Sequence, residues 1–265
     1  MPNMIPLNII ANADDFGFNK NITDGIVRAY ERGYVNSLSL MTNGNYFEEA
    51  VSIIKSRPLL KNVGVHINFT LGKPLTAINK MYLTHTGEWD RTNVDKVFMV
   101  LSKQSSEAFY KEICCQIERA LNAGIDINHL DSHHHVHTLP CFVRLFIKAA
   151  RSYDLKLRLA QTSPSGNIFK NLYRQQLNKA IISNELNYSS YFEHPGKIKQ
   201  RIAGLNGMKT IEVMLHPILN ELGELTDHHD PIGFNQWMQS FTSPLSENML
   251  AMKSDTIPNY SVSGI

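Results

Sequence analysis

Short apolar runs alternate with segments of helical period along most of this chain, and no linker or repeat interrupts the series. The apolar runs cover Leu7 to Ala13, Val35 to Met41, Val63 to Phe69, Ile125 to Leu130, Leu155 to Ala160 and Thr210 to Leu215. Between them, Asn21 to Arg32 carries Ile22, Ile26 and Tyr30 at helical spacing, with Gly33 as a stop. Ser106 to Ala123 repeats the pattern with Phe109, Ile113, Ile117 and Leu121 before Gly124. Tyr46 to Lys55 and Cys141 to Tyr153 read as helices too, the second with Pro140 where a helix would begin. Leu71 to Ser102, rich in Gly, Thr and Asn, reads as irregular. Strand–helix alternation implies parallel strands joined by helical crossovers. The expectation is one α/β domain over residues 1–265, its sheet closing into a distorted (β/α) barrel rather than lying open. In either architecture, functional groups belong at the C-terminal ends of the strands.

Ionisable residues stand at those ends. Asp14 and Asp15 close the first run, and His66 interrupts Val-Gly-Val-His-Ile-Asn-Phe. Asp131, Ser132 and His133 follow the fourth run, Arg158 lies in the fifth, and His216 follows the sixth. Packing alone does not account for five strands delivering such groups to one rim. Four of the chain's 11 histidines fall in Asp131-Ser132-His133-His134-His135-Val136-His137. Neutral imidazole is the commonest nitrogen ligand of divalent metals, so a strand-end cluster of this kind points to a metal. Consecutive residues cannot all face one point, which leaves open which histidine binds. Adjacent aspartates repel unless a cation or shared proton relieves them, although an aspartate near a helix start can equally serve as a cap. A buried His66 needs a partner, either a metal or a backbone carbonyl, and a buried Arg158 needs a carboxylate such as Asp14.

Composition narrows the field. A net charge of +2 without a basic block interleaved with aromatics gives no footprint for nucleic acid. The apolar N-terminal run is short and meets two aspartates, which reads as a buried strand and not a signal peptide. No run approaches the roughly 20 apolar residues of a membrane span. Cys114, Cys115 and Cys141 are odd in number and form no Cys-x-x-Cys, so they read as reduced core thiols in a cytoplasmic protein. His228 and His229 read as exposed loop residues.

These segments resemble the YdjC-like carbohydrate deacetylases. The resemblance is carried by Asn12-Ala13-Asp14-Asp15-Phe16-Gly17, Thr42-Asn43-Gly44, Gly64-Val65-His66 and Leu71-Gly72-Lys73-Pro74-Leu75-Thr76, then by His129 through His137 and Glu212-Val213-Met214-Leu215-His216-Pro217. It implies a distorted α/β barrel and hydrolysis of acetyl groups from N-acetylated mono- or oligosaccharides. It also implies Asp15, His66 and His133 as metal ligands, Asp14 as general base, His216 as general acid and Arg158 as the residue orienting the base. Asn43, His135 and His137 are expected on the substrate, with backbone N–H groups near Asn43 and Gly44 as oxyanion donors. One divalent metal is expected: Mg²⁺ by the resemblance, while two imidazoles with a carboxylate suit Zn²⁺ or another transition metal. The expected partner is a small acetylated carbohydrate, with no nucleic acid and no membrane, and a homodimer is allowed. Rival readings are a metal-dependent amidohydrolase or phosphoesterase on a non-sugar substrate, or a metal- or sugar-binding protein without catalysis.

Overall fold

The computed structural model describes residues 9–57, 60, 62–201 and 210–242. Leu7 and Asn8, the expected start of the first strand, lie outside the described residues. Seven parallel strands form one sheet: β1 (Ile9–Phe16), β2 (Ser37–Leu40), β3 (Val63–Ile67), β4 (His129–Ser132), β5 (Lys156–Leu157), β6 (Tyr191–Glu193) and β7 (Ile211–Leu215). Their order is β5-β4-β3-β2-β1-β7-β6. Helices α1 (Lys20–Glu31), α2 (Phe47–Lys55), α4 (Lys103–Asn122), α5 (Val143–Ser152), α6 (Ile168–Ser183), α7 (Pro195–Arg201) and α8 (Pro231–Thr242) make most of the connections, with a four-residue helix α3 (Arg91–Val94) between α2 and α4.

The sheet is strongly curled. β4 and β7 stand four positions apart, about 19 Å in a flat sheet at roughly 4.8 Å per strand. Yet the Arg158 guanidinium lies within 2.7 Å of Asp131 on β4 and 2.6 Å of Glu212 on β7. The two edges also approach each other. Leu157 forms a parallel bridge with Asn187, and Thr162 donates its N–H to the Phe192 carbonyl at 3.1 Å. The expected distorted barrel is therefore the observed architecture, as a seven-stranded, curled half-barrel.

Element boundaries fall close to the sequence expectation for the helices and less so for the strands. The fourth strand begins at His129 rather than Ile125, and the fifth is reduced to Lys156–Leu157, although Arg158 still donates its N–H to Leu130 at 3.1 Å. The stretch over 71–102 is irregular but tied down. Glu112 of α4 accepts from the N–H groups of Leu75 and Thr76, and Tyr82 and Trp89 pack on Phe109 at 5.0 and 5.8 Å between ring centroids. The three cysteines are free and half-buried rather than core, and Cys141 lies in the turn before α5. No helix among the described residues is long and apolar enough to cross a membrane.

After β7, an antiparallel hairpin of β8 (Pro217–Leu219) and β9 (Leu225–Asp227) folds against α1. Its seat is Gly25, where any Cβ would stand 2.5 Å from the Ile218 backbone.

Candidate metal centre and active site

In a regular strand Asp14 and Asp15 would point to opposite faces. Here the pairing of β1 with β2 slips between Ala13 and Phe16, and Asp15 takes a left-handed backbone with φ 69°. A bulge of this kind re-aims a side chain, and aspartate tolerates the conformation better than most residues. Both carboxylates are thereby buried in the barrel. Asp15 does not cap the following helix; the Asn19 side chain does, accepting from the Ile22 N–H.

Asp15 Oδ1 lies 3.1 Å from His66 Nε2 and 2.8 Å from His133 Nδ1. One ligand-type atom from each of the three residues lies within 4.8 Å of the others. On the far side of His66, Nδ1 meets a carboxylate rather than a backbone carbonyl, lying 2.8 Å from Asp131 Oδ1. A carboxylate behind an imidazole is the arrangement that fixes ring orientation in metal sites. His133 Nε2 is buried without a hydrogen-bond partner among the described residues. Burial opposes charge on His66, but Asp131 and Asp14 outweigh it and push its pKa up to about 10. Burial likewise opposes ionisation of Asp15, yet His133 and His66 hold its carboxyl well below the ordinary range.

Beneath this cluster Arg158 is completely buried. Its two Nη groups donate to both oxygens of Asp14 at 2.6 and 2.7 Å, one of them also meets Asp131 Oδ2 at 2.7 Å, and Nε donates to Glu212 Oε1 at 2.6 Å. Asn12 and Ser39 complete the network: Asn12 Nδ2 donates to Asp14 at 2.8 Å, and the Ser39 hydroxyl to Asp131 at 2.8 Å. Three carboxylates against one guanidinium leave an excess of negative charge. Glu212 is where a proton is most easily kept, because burial pushes its carboxyl up to about 7.

Toward the opening, His216 Nε2 stands 3.9 Å from Asp14 Oδ2, and burial lowers its pKa to about 4. The histidine run turns through left-handed conformations at His134 (φ 51°) and His135 (φ 56°), and its rings meet different partners. His133 faces Asp15, His134 Nδ1 pairs with the Thr70 hydroxyl at 2.8 Å, and His137 Nδ1 with the Ser132 hydroxyl at 2.6 Å. His135 is half-buried, its ring 5.9 Å from that of Phe192. Asn43 is tied to Asn68 at 3.1 Å and to the Lys73 carbonyl at 3.1 Å. The Gly44 N–H, expected near an oxyanion, instead donates to the Met41 carbonyl at 3.2 Å. His228 and His229 are exposed, as expected, but His228 Nε2 comes within 3.9 Å of Asp15 Oδ2.

Asp131, Glu212, Asn12 and Ser39 are the members of this cluster to which the sequence reading gave no role. A signal did exist for one pair. Arg158 and Glu212 are both charged residues in apolar strand runs, and two such residues in one barrel interior need each other.

The YdjC-like protein family matches residues 8–259. A carbohydrate deacetylase of Vibrio parahaemolyticus is 29% identical over 257 residues, spanning 96% of each chain. A carbohydrate deacetylase of Vibrio cholerae is 31% identical over 214 residues, spanning 80% of this chain and 78% of the relative. Among solved structures, a candidate cellobiose-phosphate cleavage protein from Enterococcus faecalis superimposes with a TM-score of 0.67 at 24% identity, covering 92% of this chain and 93% of the other, which is a likeness of fold. With the family match running through nearly all of the chain that carries the curled sheet and its buried Asp–His cluster, this protein belongs to the YdjC-like family.

Proposed function

We propose that this protein is a metal-dependent carbohydrate deacetylase, hydrolysing the amide of an N-acetylated mono- or oligosaccharide to acetate and the free amine. The observation that carries the reading is the convergence of Asp15, His66 and His133 beside a second carboxylate, Asp14, that is held for another task. Relatives named carbohydrate deacetylase support the substrate class.

Asp15, His66 and His133 would hold one divalent cation. Two imidazoles with a carboxylate suit Zn²⁺ or another transition ion, and family resemblance favours Mg²⁺. A bound cation supplies Lewis acidity there, polarising the acyl carbonyl and acidifying water. Asp14, aimed by both Nη groups of Arg158, accepts the proton of the attacking water. His216 is neutral at physiological pH, so it must receive a proton before donating one. Asp14 lies 3.9 Å away, too far for a direct hydrogen bond, so the proton crosses by one water, and His216 passes it to the nitrogen as the C–N bond breaks. Arg158 is a positioning residue throughout. We assign His135, His137 and Asn43 to contacts with the substrate. The three free thiols suit a reducing compartment, and we assign the enzyme to the cytoplasm on that ground.

The test is acetate release from N-acetylated mono- and disaccharides, with and without added Zn²⁺, Mg²⁺, Co²⁺ or a chelator. Acetate and free amine should form in equal amounts and cease with chelator. The reading fails if none of these substrates releases acetate, or if turnover is indifferent to chelation.

A further inference from the structure

The two oxygens of Asp15 face different company. Oδ1 is taken by His66 and His133, while Oδ2 looks outward to the loop after β9, where His228 Nε2 stands 3.9 Å away. That separation is too long for a hydrogen bond. An imidazole nitrogen about 2.0–2.1 Å and a carboxylate oxygen about 2.0–2.2 Å from one cation stand at most about 4.3 Å apart, so it fits a pair of ligands across an ion. One ligand-type atom each from Asp15, His228 and His229 lies within 4.8 Å of the others, a grouping that shares only Asp15 with the buried one.

The loop is built to hold these rings. Asp227 Oδ1 accepts from the N–H groups of both His229 and Asp230 at 2.8 Å, and its other oxygen accepts from the His216 N–H. His228 Nδ1 lies 3.2 Å from the His216 carbonyl, which can accept only if that nitrogen carries the proton. The lone pair is thereby left on Nε2, the atom facing Asp15. A ligating histidine that donates its other N–H to a backbone carbonyl is the usual supporting arrangement in metal sites. The rings of His228 and His229 lie 4.3 Å apart.

We propose that Asp15 bridges two divalent cations, the second held at the mouth of the site by Asp15 Oδ2, His228 and His229. This inference rests on the reading of Asp15, His66 and His133 as the first metal site. The second ion is a transition ion with water in its remaining positions, since two imidazoles and one carboxylate leave it open on the solvent side. Two cations sharing a carboxylate form the kind of pair that grips both the attacked and the attacking oxygen in hydrolases.

The experiment titrates Zn²⁺, and separately Co²⁺, into the metal-free full chain, reading stoichiometry by calorimetry and by metal analysis after gel filtration. Wild type should bind about two equivalents, and His228→Ala/His229→Ala about one. Both side chains are exposed, so the metal-free variant should keep the wild-type circular dichroism and Tm. His229→Ala alone should weaken only the second equivalent, by about tenfold or more. One equivalent in wild type and variant alike overturns the second site and leaves the first. Two equivalents in both overturns the assignment to His228 and His229, and none in either overturns the first site along with the second.

Discussion

Around Arg158, the charged groups are buried and each has a partner fixed by backbone: Asp14 by the bulge in β1, Asp131 by the end of β4, and Glu212 by its place inside β7. Around His228 and His229, the same residue chemistry sits on a loop with rings open to water. The deep cluster cannot reorganise without leaving a buried charge unpaired, a cost of about 3–5 kcal/mol, so its geometry is set at folding. The rim can lose a side chain at little cost to the fold, so its geometry matters only when something binds. Within one site, a change in the floor should therefore alter catalysis or folding, whereas a change at the rim should alter binding alone.

The largest expected effect separates the two aspartates. Asp14→Asn should retain metal yet lose turnover by about 10²–10⁴-fold, because an amide cannot accept the proton. The variant should fold, since Arg158 keeps Asp131 and Glu212. Asp15→Asn should instead weaken metal binding, with activity partly restored by excess metal. Metal content and kcat for both variants settle the matter. If Asp14→Asn is the variant that loses the ion, the roles are reversed.

Next in size is a pH effect confined to the floor. The carboxyl of Glu212 titrates at about 7 in the folded chain against 4.5 for an ordinary glutamate, so the fold favours its protonated form. The sign follows. The resulting stabilisation is complete below about pH 4.5 and is lost as pH rises through about 7. Subtracting the urea-unfolding profile of Glu212→Gln from that of wild type should show this decline between those limits. A difference that is flat across the interval would mean that Arg158 holds all three carboxylates ionised, and that the excess charge is relieved elsewhere.

How much of this was legible in the chain depends on whether the pattern was local. The helices carry their spacing and stops with them, as Ile22, Ile26 and Gly33 do for α1. α6 does not, because Ile168, Phe169 and Leu172 face solvent while Asn178 is buried, so no apolar face marks it. The short strand β6 is equally unmarked. At the site, residues at the ends of apolar runs were legible as candidates, since the parallel fold gathers strand ends. Their partnerships were not. The hydrogen bond from His66 to Asp131 spans 65 positions and the ion pair from Arg158 to Glu212 spans 54, and only the curl of the sheet brings them together. The bulge that turns Asp15 inward and the left-handed pair His134–His135 have no side-chain signature a sequence could display.

The smallest expected effect lies within that histidine run, where floor and rim meet. His137 is buried, with Nδ1 on the Ser132 hydroxyl, whereas His135 is half-buried with its ring toward Phe192 and neither nitrogen in a hydrogen bond among the described residues. His135→Ala should therefore fold normally and raise KM by about threefold to tenfold, the worth of one hydrogen bond to substrate, with kcat little changed. His137→Ala should show the opposite character. It removes a buried ring together with its bond to the Ser132 hydroxyl, which still accepts from the backbone N–H of residue 137 at 2.9 Å, so urea stability should fall by about 1–3 kcal/mol. A rise in KM for His137→Ala would then report that its partnerless Nε2 meets the sugar in the complex. If His135→Ala leaves KM unchanged while lowering Tm, His135 belongs to the floor, and the boundary between the two regions runs one residue closer to solvent than drawn here.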